Sequence, residues 1–105
     1  MERLTYNEWT FSGEVTYINE LDVKNEFTAS VKLEGVSSRK GATTKQIVKF
    51  TCLLERDTYE EAKKKGLDKF KYVTLGGHIE TWVKQSDKGD TQRMRFVCDD
   101  ILEVC

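Results

Sequence analysis

The 105-residue sequence contains no proline and a single histidine, and its three cysteines show no CxxC spacing. It also lacks low-complexity tracts, internal repeats and any apolar run near the ~18 residues that a membrane span needs. The first residues have neither the basic nor the apolar stretch of a signal peptide. These absences indicate one compact domain over residues 1–105 that works in the cytoplasm, without a membrane partner.

The cysteines and the histidine do not form a recognisable metal or redox site. Cys52 and Cys98 lie in apolar, strand-like runs, where a free cysteine behaves as a small buried hydrophobe. Disulfides are not expected in a reducing cytosol, and His78 has no neighbouring ligand at zinc-site spacing. We therefore expect no metal and no cofactor.

No catalytic arrangement is visible either, so we do not expect an enzyme. Asp99 and Asp100 are adjacent in sequence and would point to opposite faces of a strand. Asp87 and Asp90 flank a turn, and His78 has no evident partner. A metal-dependent nuclease would need clustered carboxylates.

The net charge is −1, from 17 basic and 18 acidic residues, and does not by itself indicate a nucleic-acid partner. The distribution of the charges is more informative, because local basic clusters can bind phosphates. Two basic clusters fall in or beside predicted loops: Arg39, Lys40, Lys45 and Lys49, then Lys84, Lys88, Arg93 and Arg95.

Two strands are predicted in the first third of the chain by period-2 alternation. In residues 9–18, one face would carry Phe11, Gly13, Val15 and Tyr17. Gly13 suggests a sharp bend of the kind that small barrels need. In residues 26–34, the predicted core face consists of Phe27, Ala29, Val31 and Leu33.

The middle of the chain predicts a loop, a strand and a short helix. Residues 35–45 are polar and basic, which is typical of a long hairpin loop. Residues 46–54 form the third strand, whose facing stays open because both faces carry apolar residues. The helix over 56–66 would begin with Asp57 as its N-cap and stop at Gly66.

The last third predicts two long strands, residues 70–83 and 92–104, joined by a hairpin loop over 85–90. The inward face of the fourth strand would carry Val73, Leu75, Gly77, Ile79 and Thr81. In the fifth strand, Met94, Phe96 and Cys98 lie opposite Arg93, Arg95 and Val97. The predicted class is therefore all-β with one short helix, a five-stranded OB-fold barrel of order β-β-β-α-β-β.

Four segments resemble the single-stranded-DNA-binding protein family of bacteria and their phages. They are FSGEV at 11–15, VKFT at 48–51, YVTLGGHIET at 72–81 and FVCDDI at 96–101. The resemblance implies an OB fold that binds single-stranded DNA without strong sequence preference during replication and recombination. It also implies a homodimer or homotetramer, replication or recombination proteins as partners, and a bacterial host cell.

The chain departs from the housekeeping members of that family in two places. It ends at Cys105, without the Gly-rich linker and acidic tail of those proteins, and Lys45 and Gln46 stand where they have a tryptophan. Both departures favour a compact phage-type or mobile-element version.

A single-strand site needs aromatic faces for bases and positive charge for phosphates. Trp82 and Tyr72 lie on the polar face of the fourth strand and are the predicted stacking residues, with packing under a loop or at a subunit interface as the alternative. Phe50 matches a DNA-contacting position of the family, although its alternation also fits the core. Trp9 is equally compatible with a core lid and an interface anchor.

The predicted phosphate contacts surround this face. Arg93 and Arg95 lie one strand away from Trp82, while Lys32 and Lys49 line the outer side of strands two and three. Arg39, Lys40 and Lys45 belong to the loop before the third strand and would close over DNA. The alternative function is an OB module that binds a protein or an oligosaccharide, which would use the same aromatic rings.

Overall fold

The computed structural model describes residues 7–38, 41 and 44–105. Five strands and one helix follow the predicted order. Their bounds are β1 Trp9–Glu20, β2 Ala29–Ser37, β3 Gln46–Leu54, α1 Arg56–Lys64, β4 Tyr72–Lys84 and β5 Thr91–Val104.

The strands close into a barrel in the order β1-β2-β3-β5-β4. All neighbours are antiparallel except β3 and β5, which run parallel. Strand β1 pairs with β4 over its first half and with β2 over its second, and both ladders include Glu14. Gly13 lies at this change of partner, where a Cβ would come within 2.6 Å of the Glu34 carbonyl oxygen. The sequence suggested a sharp bend at Gly13; the structural reason for a glycine there is this close approach between strands.

The barrel interior is filled by aliphatic side chains from every strand. Strand β2 and the segment before it bury the four predicted residues, Phe27, Ala29, Val31 and Leu33. On β3 the open question of facing is answered, because Cys52 and Leu54 are buried while Ile47 is exposed. Other fully buried members of the core are Val15, Val73, Leu75 and Cys98. Truncating one such leucine to alanine typically costs about 2–5 kcal/mol.

Tyr17 does not share a face with Val15, so the alternation predicted over residues 9–18 is wrong at this position. The pairing of β1 with β2 shifts register between Val15 and Tyr17, which is the signature of a β-bulge. One extra residue reverses the alternation, so Tyr17 is exposed and Ile18 packs against the core instead.

The predicted inward position of Thr81 is also wrong. The ladder between β4 and β5 continues from Ile79 to Lys84, but Thr81, Trp82 and Val83 are all exposed. The hairpin therefore projects beyond the barrel, where neither of its faces is covered. It carries Trp82 away from the core without changing the alternation that the sequence predicted.

Helix α1 follows β3 after one residue and packs Tyr59 and Ala62 against the barrel. Its N-cap is Glu55 and not the predicted Asp57, because the chain enters the helix directly from the end of β3. Asp57 lies in the first turn, where its charge favours the helix dipole. Gly66 ends the helix as predicted, with φ at +97°. No helix in the described part of the chain is long and apolar enough to cross a membrane.

Candidate nucleic-acid interface

A groove opens along the seam between β3 and β5. These two strands, both wholly within the described residues, form a single ladder pair, Leu53 with Val97. Beyond that pair the strands leave a cavity of about 390 Å³. Its lining combines aromatic, aliphatic and basic side chains: Lys49, Phe50, Thr51, Leu53, Met94, Arg95 and Phe96.

The floor of the groove belongs to a cluster of four partly buried aromatic rings. The ring centroid of Phe50 lies 4.8 Å from that of Phe11, of Trp9 and of Phe96. Phe50 and Phe11 are stacked, with 11° between their planes. Phe50 therefore has both roles left open by the sequence, since it packs against the core and lines the groove.

Trp9 covers this cluster as a lid. Its indole Nε1 donates a hydrogen bond to the His78 carbonyl oxygen at 2.9 Å, and its ring packs on Phe50 and Phe96. Gly77 makes room for the lid, because a Cβ there would lie 2.8 Å from the Trp9 ring and collide with the Val97 carbonyl oxygen. Of the two roles that the sequence allowed for Trp9, a core lid and an interface anchor, these contacts favour the core lid.

The β4–β5 hairpin presents Trp82 beside two arginines. Trp82 lies opposite Arg93, and Glu80 lies opposite Arg95, so all four side chains share one face of the hairpin. The Trp82 side chain is outward as predicted, with 45% of the residue exposed. The guanidinium carbon of Arg95 lies 5.2 Å from the Trp82 ring centroid, within cation–π range.

Arg95 is held by two carboxylates. Its Nε donates a hydrogen bond to Oε1 of Glu80 at 2.9 Å, and its Nη2 forms an ion pair with the same oxygen at 2.7 Å and donates to Oε2 of Glu26 at 3.2 Å. The hydrogen bond with Glu80, joined by the charge of Glu26, raises the pKa of the Arg95 guanidinium. The sequence placed Arg95 among the cations that pair with phosphates or stack on bases, and it did not reveal these carboxylate partners.

His78 has partners that the sequence did not reveal, so the expectation of an isolated histidine is wrong. Its Nδ1 donates to Asp99 at 2.6 Å and its Nε2 donates to Glu80 at 2.8 Å. Since both carboxylates accept, this geometry suits the protonated ring. The hydrogen bonds to Asp99 and Glu80 raise the pKa of His78, and the bonds from His78 and Arg95 lower the pKa of Glu80. In the described part of the chain, no group of three or more His, Cys, Asp or Glu side chains is arranged to hold a metal ion.

Two of the remaining predicted cations lie on the outer face of the β2–β3 ladder, and one of them, Lys49, also lines the groove. Lys32 and Lys49 are exposed on the outer side of the β2–β3 ladder, where Lys49 is 3.9 Å from Glu34. Lys45 is exposed just before β3. Arg39 and Lys40 lie outside the described residues.

Tyr72 is not brought to the groove. It is ten positions from Trp82 along β4, which corresponds to about 33 Å of extended strand. It is 53% exposed and faces Glu14 across the β1–β4 ladder. A DNA strand would reach both aromatic rings only by crossing a large part of the barrel surface.

Sequence reasoning missed several residues of the groove, namely Thr51, Leu53, Met94 and Phe96. Alternation placed Met94 and Phe96 on the face of the fifth strand opposite Arg93 and Arg95, which gives no hint of an open seam. The signal that points to them is topological, because a five-stranded OB barrel must close β3 against β5 in parallel over a short distance.

The element order, the closed barrel and the helix between β3 and β4 define an OB fold. Solved structures share it. The mitochondrial single-stranded DNA binding protein Rim1 of S. cerevisiae superimposes with a TM-score of 0.67 at 11% identity, covering 95% of each chain. The Plasmodium falciparum SSB, solved in complex with ssDNA, gives 0.66 at 13% identity, covering 92% of this chain and 89% of its own.

A small single-stranded DNA binding protein from Mycoplasma pneumoniae gives a TM-score of 0.63 at 15% identity, with 94% of each chain covered. At these identities the likeness establishes a common fold. No protein-family model and no curated protein sequence matches the chain. The predicted fold class is therefore confirmed, and the resemblance found in the sequence is confirmed at the level of the fold.

Proposed function

We propose that this protein binds single-stranded DNA without strong sequence preference and is not an enzyme. The observation that carries the proposal is the open β3–β5 groove, floored by aromatic rings and continued by the exposed Trp82 on the adjoining hairpin. Aromatic faces accept any base, and each stack contributes roughly 1–3 kcal/mol. Solved proteins of the same fold that bind single-stranded DNA support the assignment.

In this proposal the bases contact Trp82 and the groove side of Phe50, and the phosphates follow the cations around them. Arg93 on the hairpin and Lys32 and Lys49 on the β2–β3 face supply the nearest positive charges. The further cations expected from the sequence are Arg39, Lys40 and Lys45. Arg95 is expected at the same interface beside Trp82, and Tyr72 is a more distant stacking residue. Binding depends on these local clusters because the net charge of the chain is −1.

The biological role belongs to the same proposal. The protein would cover and protect single strands during replication or recombination in the cytoplasm of a bacterial host cell, together with proteins of those processes. A homodimer or homotetramer would lengthen the track for DNA. Exposed Tyr17 remains available for a subunit interface, whereas Trp9 is occupied by the aromatic cluster. Light scattering at micromolar concentration is expected to give a mass above that of the monomer.

A fluorescence titration with a poly-pyrimidine oligonucleotide tests the proposal. Tryptophan emission should be quenched, and the same sequence as a duplex should bind far more weakly because its bases are already stacked. Equal affinity for both forms, or no response to either, would reject single-strand binding. Binding of an oligosaccharide or peptide in place of the oligonucleotide would support the alternative OB module.

A further inference from the structure

Arg95 connects three parts of the molecule through its hydrogen bonds. It is a residue of β5, its main partner Glu80 is on β4, and its second partner Glu26 lies in the segment between β1 and β2. Two of its nitrogens, Nε and Nη2, are engaged by carboxylates at 2.7–3.2 Å. A phosphate that used these donors would first have to displace a carboxylate.

The same guanidinium contacts two aromatic rings from different elements. Its central carbon lies 4.7 Å from the ring centroid of Phe27 and 5.2 Å from that of Trp82. Phe27 is buried just before the start of β2, while Trp82 is exposed on the projecting hairpin. Arg95 thus joins an exposed ring to a buried one, which a solvated surface cation does not do.

We propose that Arg95 is a positioning residue that holds the Trp82 ring ready for a base, and that it does not serve as a phosphate contact. The inference rests on the proposed binding of single-stranded DNA. A ring that is already oriented loses less conformational freedom when the ligand arrives, so more of the stacking energy appears as affinity. Glu80 is part of the device, because it fixes Arg95 with one oxygen and His78 with the other.

Arg95→Lys separates this role from a phosphate contact. Lysine keeps the positive charge but has no planar fork to bridge Glu80 and Glu26 while covering two rings. We expect Arg95→Lys to weaken binding of an oligothymidylate by about fivefold or more, as one lost stack would, and nearly as much as Arg95→Ala does. The salt dependence of binding should match that of the wild type in both variants. Arg56→Lys on the exposed surface of α1 is the matched control, with unchanged affinity.

Glu80→Ala should change the affinity for DNA in opposite directions, depending on which of the two roles Arg95 has. Removing an acidic group near bound DNA would tighten binding if Arg95 were thereby released to a phosphate. If Arg95 positions Trp82, the same substitution weakens binding, because the guanidinium loses its anchor. Glu34→Ala, which removes the carboxylate beside Lys49, controls for charge and should bind equally or more tightly.

Fluorine NMR of protein labelled with 5-fluorotryptophan tests the positioning without DNA. The two tryptophans give two lines, and Trp82→Phe identifies the line of Trp82. Arg95→Lys and Glu80→Ala should shift or broaden that line and leave the Trp9 line, which reports on the folded barrel, in place. The proposal is overturned if the Trp82 line does not change. It is also overturned if Arg95→Lys binds DNA like the wild type while Arg95→Ala lowers the salt dependence. If the wild type binds no oligonucleotide, the proposed function fails, and the NMR lines alone decide whether Arg95 holds the ring.

Discussion

Arg93 lies directly opposite Trp82 in the β4–β5 ladder, on a hairpin that projects beyond the barrel. A cross-strand pair of this kind places a cation and an aromatic face side by side. The pair lies outside the cluster of buried core residues, and 45% of Trp82 is exposed. Its two members can therefore be altered separately with little effect on folding.

Trp82→Ala should weaken binding of single-stranded DNA by roughly 1–3 kcal/mol, the contribution of one base stack. The melting temperature should stay close to that of the wild type, because an exposed ring contributes little to the core. Val83→Ala is a suitable control, since this neighbour is also exposed but faces the other side of the hairpin. A sharp loss of thermal stability with unchanged binding would instead assign Trp82 to the core or to an interface.

Arg93→Ala should make binding less sensitive to salt. Each phosphate neutralised on a single strand contributes about −0.7 to the slope of log K against log salt, so the slope should become shallower by about that amount. Titrations at several salt concentrations measure it. Lys64→Ala, at the end of α1 and away from the groove, should leave the slope unchanged; an equal change in both variants would show that only the overall charge matters.

Phe50→Ala should lower both stability and binding, unlike Trp82→Ala. Phe50 contacts three aromatic rings at 4.8 Å, so its truncation leaves a cavity in the cluster. We expect a loss of about 3 kcal/mol in the free energy of unfolding, measured in urea. Val36→Ala, at an exposed position of β2, should change that free energy by less than about 0.5 kcal/mol. An unfolding curve for Phe50→Ala that matches the wild type would show that the cluster contributes nothing to folding.

The stability contributed by His78 should depend on pH in a definite direction. Its pKa is raised in the folded state by Asp99 and Glu80, so the contribution is fully present below the ordinary value of 6.5 and is lost as pH rises through the folded value. The Glu80 pKa is lowered, and its contribution is lost as pH falls below the ordinary carboxyl range. Glu8 and Asp100 line a surface pocket together with His78 and Asp99, and they add further negative charge near the ring.

Urea unfolding of wild type and His78→Gln between pH 5.5 and 8.5 checks this expectation. The gap in stability between the two proteins should be widest at the acidic end and should narrow toward pH 8.5. A gap that widens with pH would mean that the neutral ring is the stabilising form.

The sequence predicts those parts of the fold in which alternation continues without interruption. Strand β2 shows this well, because its pairing with β3 runs in continuous register and its alternate residues Ala29, Val31 and Leu33 are buried. The prediction fails at Tyr17, where an extra residue enters β1, since a bulge leaves no mark in a period-2 pattern. Further register shifts in the β4–β5 ladder leave Asp99 and Leu102 without partners there.

The site is predicted in part for a similar reason. The outward position of Trp82 and its neighbour Arg93 follow from alternation and a short hairpin, which are local features. The partners of Arg95 do not, because Glu26 is 69 positions away in the chain and approaches only when the barrel closes. At His78 the two partners differ in this respect: Glu80 is only two positions away, whereas Asp99 is 21 positions distant and lies on the neighbouring strand β5.

The short ladder between β3 and β5 has a consequence for the dynamics of the barrel. Where two neighbouring strands share so few backbone bonds, local opening costs less free energy than elsewhere, and amide hydrogens along that line exchange with solvent sooner. A ligand in the groove would bind the closed form and not the opened one, so it would slow this exchange and raise the melting temperature, by an amount that grows with the logarithm of the ligand concentration. Occupancy of the groove and integrity of the barrel are in this way thermodynamically linked.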